Sequence, residues 1–175
     1  MNNKKEFITK TIPFEAFVSK GVDSSGSNGV EICGYASVFN LVDLHGDLME
    51  KGAFSRGRGK KRSPFMLWQH QVNHFCGKWE ACEEDEYGLK VKGIVSTSTE
   101  WGRKALENIR KGKVSGLSVG FFCDESTKVK NVRVIKSATL VEISLVTTPA
   151  NPYSRFSPLN GDFLDIESFG SCASI

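Results

Sequence analysis

Paired cysteines are missing from this chain: its 5 cysteines, Cys33, Cys76, Cys82, Cys123 and Cys172, form no C-x-x-C. An odd number without that spacing argues against a disulfide framework and a zinc ribbon, and leaves reduced, mostly buried thiols as the expectation. Long apolar runs are missing too. None approaches the ~18 to 20 residues that cross a bilayer, and the opening "MNNKKEFITK" lacks the apolar middle of a secretory signal. Use in a cytoplasm, with no membrane partner, is expected. Charge of one sign is also scarce. The 23 basic and 20 acidic residues leave a net charge of +3, weak ground for a nucleic-acid partner, and none is expected. The more basic stretch "SRGRGKKR", Ser55 to Arg62, reads as a solvated loop.

What is present describes one globular unit. At 175 residues, 39% hydrophobic and 25% charged, the chain can bury a sizeable core but not two. A single domain is expected over residues 1–156, followed by a weakly patterned tail over 157–175.

The pattern breaks into short elements. Glu6 to Lys20 and Val30 to Asn40 read as strands, with Gly34 a candidate bulge. "LVDLHGDLMEKGAF" reads as a structured loop, and Ser63 to His70 as a buried strand that delivers Gln69 and His70 to its far end. "GKWEACEEDEYGLKVKGIVS" has the alternation of a hairpin, with Gly88 supplying the turn. One helix is expected over Thr99 to Lys111, with Ser98 or Thr99 as N-cap, presenting Trp101, Ala105, Leu106 and Ile109 on a stripe and ending at Gly112. Strand-like runs follow at Leu117 to Cys123, Val129 to Lys136 and Thr139 to Thr147, and Pro149 and Pro152 stop the pattern. Many short strands with one helix give a mainly β (α+β) fold: an antiparallel β-barrel with helical decoration.

Within these elements, "GLSVG" at Gly116 to Gly120 matches the G-x-S-x-G word of α/β-hydrolases. That fold needs a helix after the serine and a histidine further downstream. The 3 histidines, His45, His70 and His74, all precede Ser118, and "FFCDESTKVKNVRVI" reads as strand and turn. A nucleophilic Ser118 therefore needs a site built in another order. His70 is the best base, because the end of a buried run places its ring at the border of core and solvent. Glu142 is a lone carboxylate in the apolar run "TLVEISLV", and burying it unpaired is costly. Strand parity sets Glu142, Ser144 and Val146 opposite Val141, Ile143 and Leu145. Two readings of Glu142 stand: it orients His70 in a cleft, or it faces water or Arg133 at a rim. Ser115 is a rival nucleophile, but on a strand it and Ser118 point to opposite faces. The H-x-x-x-H spacing of His70 and His74, with Cys76 nearby, suggests zinc. Gln71 stands where such a site has its glutamate, and the preceding run is extended, so no metal is expected. Cys76 served by His74 has no orienting partner in view.

The words "GYASVFNLVDLHGDLMEKGAF", "MLWQH", "GLKVKG", "GLSVGF" and "VEISLVTTPANP", in that order, resemble the prohead maturation proteases of tailed bacteriophages. The resemblance runs from about Ile32 to Pro152. It implies a serine endopeptidase similar in fold to the herpesvirus capsid-maturation proteases, which are β-barrels surrounded by helices. It implies His70 as base, Ser118 as nucleophile, and Glu142 where the herpesvirus enzymes carry a second histidine. Substrates would be scaffold segments, part of the major capsid protein and the protease itself, cut by an oligomer inside the procapsid in the host bacterial cytoplasm. No metal or organic cofactor is implied. His45 and His74 match nothing catalytic. The competing expectation is a catalytically inactive capsid-assembly or scaffold-binding module, whose contact segments would be the tail after Phe156 and the Arg56 to Arg62 loop.

Overall fold

The computed structural model describes residues 7–13, 19–22, 28–43, 45–59, 62–114 and 116–147. Ser115, Cys172, the prolines expected to stop the last strand and the tail with its boundary at 156 lie outside the described residues. The strands are β1 (Phe7–Pro13), β2 (Ser19–Val22), β3 (Asn28–Val38), β4 (Asp47–Met49), β5 (Phe65–Trp68), β6 (Phe75–Glu84), β7 (Gly88–Ser96), β8 (Gly116–Val129) and β9 (Val132–Val146). One helix, α1 (Glu100–Arg110), joins β7 to β8.

All the described strands belong to one sheet curled into a half-barrel, in the order β1-β8-β9-β5-β6-β7-β3-β2, with β4 added to β9. Pairing is antiparallel except where β4 and β5 run parallel to β9. The mainly antiparallel β architecture expected from the sequence is therefore the fold. Side chains that alternate inward close the core, with Ile32, Val91, Val95, Leu117, Val119, Phe121, Ile135, Ile143 and Leu145 fully enclosed. Among the described residues, no helix is long and apolar enough to cross a membrane.

Local chemistry explains where the structure departs from the pattern. The hairpin before β7 is made by Asp85, whose Oδ1 accepts from the amides of Tyr87 at 2.8 Å and Gly88 at 2.9 Å. Gly88 serves a different need: a Cβ there would stand 2.0 Å from the Ser37 carbonyl oxygen. The bulge in β3 falls between Tyr35 and Ser37 rather than at Gly34, and the extra residue, Ala36, turns into the core. The loop from Leu41 to Phe54 contains the short β4, fixed where the Arg133 guanidinium donates to both carboxylate oxygens of buried Asp47 at 2.8 and 2.7 Å. The last two expected strands merge into β9, except that Val129 ends β8 and Lys130 and Asn131 form the turn from β8 into β9. Its partner β8 also runs on through the polar "DESTKV", because sheet hydrogen bonds satisfy the backbone while those side chains stay largely in water. Cys76, Cys82 and Cys123 carry free thiols as expected.

Helix α1 is capped by Thr99, whose hydroxyl oxygen accepts from the Gly102 amide at 3.0 Å, and Gly112 ends it at φ 65°. Ala105, Leu106 and Ile109 are buried against the sheet, but Trp101 is not a full member of that stripe. Its ring stacks on His74 with centroids 3.5 Å apart, and Lys104 Nζ lies 4.5 Å above its centroid. Gly102 sets how closely the helix approaches the sheet. A Cβ there would meet the Ser96 carbonyl oxygen at 1.9 Å and the Cys76 carbonyl oxygen at 2.8 Å. Gly to Ala inside a helix ordinarily stabilises by about 1 kcal/mol. Here Gly102→Ala is expected to destabilise instead, by ~1 to 3 kcal/mol, because the clash is with backbone. A urea-denaturation midpoint that rises in this variant would refute the packing described.

Candidate active site

Three neighbouring strands assemble the site. In the β8–β9 register Ser118 faces Ser144 and Gly120 faces Glu142, so Ser118, Ser144 and Glu142 share one face of the sheet. On the other side of β9, β5 runs parallel with Leu67 beside Ser144 and Trp68 beside Leu145. The chain then reverses. Gln69 and His70 adopt φ values of 53° and 59°, left-handed backbone that non-glycine residues rarely take. The turn is tied by Gln69 N–H to the Leu145 carbonyl at 3.0 Å, Trp68 N–H to the His74 carbonyl at 2.9 Å and His74 N–H to the Gln71 carbonyl at 3.0 Å. It folds His70 back over the face that carries Ser118 and Glu142.

The His70 ring lies between those two side chains. Its Nδ1 is 2.6 Å from Glu142 Oε1 and its Nε2 is 2.6 Å from Ser118 Oγ. With Glu142 ionised, Nδ1–H donates to the carboxylate, and the lone pair on Nε2 accepts the Ser118 hydroxyl proton. Ser144 completes the cluster: its Oγ donates to Glu142 Oε2 at 2.6 Å and accepts from the His70 amide at 3.1 Å. Ser118 and Ser144 have no exposed surface and Glu142 has 3%, while the His70 side chain keeps 25%. The imidazole is thus the member of the cluster that reaches water.

The structure disposes of several competing placements. Glu142 is neither a rim residue nor paired with Arg133, since it is buried and Arg133 is held by Asp47. His74 is turned away onto Trp101, and His45 is exposed. Among the described residues, no group of three or more His, Cys, Asp or Glu side chains is arranged to hold a metal. Cys76 is fully buried, its thiol pointing at the Met66 carbonyl oxygen at 3.6 Å, and burial pushes its pKa up to about 12. It is expected to resist iodoacetamide near neutral pH in the native protein and to react once unfolded; rapid native alkylation would bring the cysteine reading back.

Sequence reasoning placed Ser144 on the Glu142 face but gave it no part in the cluster. The available signal was the two-residue spacing E-x-S on a strand. The left-handed turn at Gln69 and His70 carried little signal: histidine is moderately enriched in such backbone, glutamine is not, and no glycine or asparagine stands at either position.

A hydroxyl, an imidazole and a buried carboxylate in hydrogen-bonded series on a half-barrel define the class of serine hydrolases. Within that class the model of the caudovirus prohead serine proteases matches residues 18–163, and the chain belongs to that family. It is 35% identical over 149 residues to the prohead protease of Enterobacteria phage HK97, covering 82% of this chain and 65% of that protein. It is 27% identical over 155 residues to the prohead protease of Escherichia phage T5, covering 83% of this chain and 70% of that one. The chain therefore spans slightly less than two thirds of the length of the first relative. The solved structure of the bacteriophage T4 capsid assembly protease matches with a TM-score of 0.65 at 17% identity, over 84% of this chain and 100% of that one, which shows the fold.

Proposed function

We propose that the chain is a serine endopeptidase of phage head maturation, working through Ser118, His70 and Glu142. The observation that carries this reading is the His70 ring held at 2.6 Å from both Ser118 Oγ and Glu142 Oε1. Ser118 Oγ attacks the scissile peptide carbonyl while His70 Nε2 takes its proton and later returns it to the leaving amine. Glu142 holds the ring in the required tautomer and stabilises its charged form. No metal or organic cofactor enters these steps. The substrates are scaffold or capsid-protein segments and the chain itself, cut by an oligomer enclosed in the procapsid within the bacterial host. The protease unit is residues 1–156, with a tail over 157–175.

Complete burial of Ser118 favours a second reading, an inactive assembly module with the same fold. Under the protease reading, His70, the partly exposed member of the cluster, marks the side from which a peptide carbonyl reaches Ser118. Co-expression with the major capsid protein of the same genome separates the two. The protease reading expects a shortened capsid protein with one defined new terminus by mass spectrometry; intact capsid protein in assembled procapsids supports the module.

A further inference from the structure

We propose that Ser144 is a positioning residue for the reaction, acting through both Glu142 and the main chain of His70; this rests on the protease reading given above. It is directly opposite Ser118 in the β8–β9 register and fully buried. The direction of its proton is determined. A backbone N–H can only donate, so the hydroxyl accepts from the His70 amide; an ionised carboxylate can only accept, so with Glu142 ionised the hydroxyl gives its single proton to Oε2. Both oxygens of the carboxylate are then engaged, Oε1 on the imidazole and Oε2 on the serine. The carboxylate is thereby prevented from rotating away from Nδ1.

The same hydroxyl holds the base from behind. His70 sits at φ 59°, a conformation that persists only when its surroundings enforce it. The bond from its amide to Ser144 and that from the Gln69 amide to Leu145 anchor this turn to β9. One side chain therefore sets the distance between base and acid at both ends. A serine buried for packing alone would not need to touch two members of the relay.

The rate of labelling by a fluorophosphonate reads this role, with Ser118→Ala as the control for the underlying reading. Ser144→Ala is expected to slow labelling roughly tenfold to a hundredfold and to lower the melting temperature by several degrees, because it leaves a buried carboxylate oxygen and the His70 amide unpaired. Ser144→Thr, which keeps the hydroxyl, should stay within about threefold of the unaltered protein. In a Glu142→Ala background, Ser144→Ala should cost clearly less than it does alone, since the acid it acts through is gone and only the bond from the His70 amide remains to be lost. Equal slowing in both backgrounds shows that Ser144 does not act through Glu142 and overturns the proposal, as does a Ser144→Ala rate equal to that of the unaltered protein. Should Ser144→Ala not fold, Ser144→Cys fills the same space with a weak donor and carries the same expectation. The His70 Nδ1 proton resonance gives a readout independent of activity. It should lie far downfield, move in Ser144→Ala and hold in Ser144→Thr; an unmoved resonance contradicts the role. Labelling that survives Ser118→Ala, or is absent from the unaltered protein, instead sinks the protease reading itself.

Discussion

Ser118→Ala and His70→Ala should each abolish cleavage of co-expressed capsid protein, lowering the rate by roughly 10⁶-fold, and the double variant should be no worse than either alone. Both changes disable one event: transfer of the hydroxyl proton to Nε2 across the 2.6 Å contact as Oγ attacks. Without the imidazole the hydroxyl is a poor nucleophile, and without the hydroxyl the imidazole has nothing to activate. Their effects therefore cannot multiply. The alanine at 118 should leave folding intact, because it removes one hydroxyl from a strand whose neighbours Leu117 and Val119 hold it in the core. Additive losses in the double variant would mean that the two residues serve separate steps. Retention of cleavage in Ser118→Ala would end the nucleophile assignment.

Glu142→Gln is expected to lower the rate by about 10⁴-fold, leaving more activity than either change above. The new side chain is nearly isosteric, so the loss comes from proton direction rather than space. Ser144 donates to Glu142 Oε2 in the native cluster. Where the glutamine oxygen keeps that bond, its NH₂ faces His70 Nδ1; where the amide is flipped, the negative charge that stabilises the imidazolium is still lost. Two donors cannot meet across a hydrogen bond, so in the first case Nδ1 gives up its proton and Nε2 takes one. That tautomer points N–H at Ser118 and cannot accept its proton. A Glu142→Gln variant cleaving capsid protein within about tenfold of the unaltered rate would show that the carboxylate does not set the tautomer.

Much of this arrangement was legible before the fold was known, for identifiable reasons. The helix announced itself by the Ser98–Thr99 pair at its start, of which Thr99 is the cap, and by Gly112 at its end. Alternation marked β6 and β7, and an apolar run ending in Gln69 and His70 marked β5. A lone carboxylate in an apolar strand demanded a partner, and Glu142 has two, His70 and Ser144. Other features depend on contacts distant in sequence and so left no local trace. The parallel pairing of β5 with β9 brings His70 back over Ser144 from 74 residues away, and hydrophobic patterning cannot specify that neighbour. The continuation of β8 through polar residues was missed because pairing, not burial, keeps it extended. Gly88 was assigned to a turn when its need is close approach of another strand, a distinction composition does not carry.

The most direct test of the account is the site of covalent labelling, read by tandem mass spectrometry after fluorophosphonate treatment of the chain in procapsids. The account predicts one adduct, on Ser118 Oγ, lost in both Ser118→Ala and His70→Ala. An adduct on Ser115, or one on Ser118 that persists undiminished without His70, would contradict it.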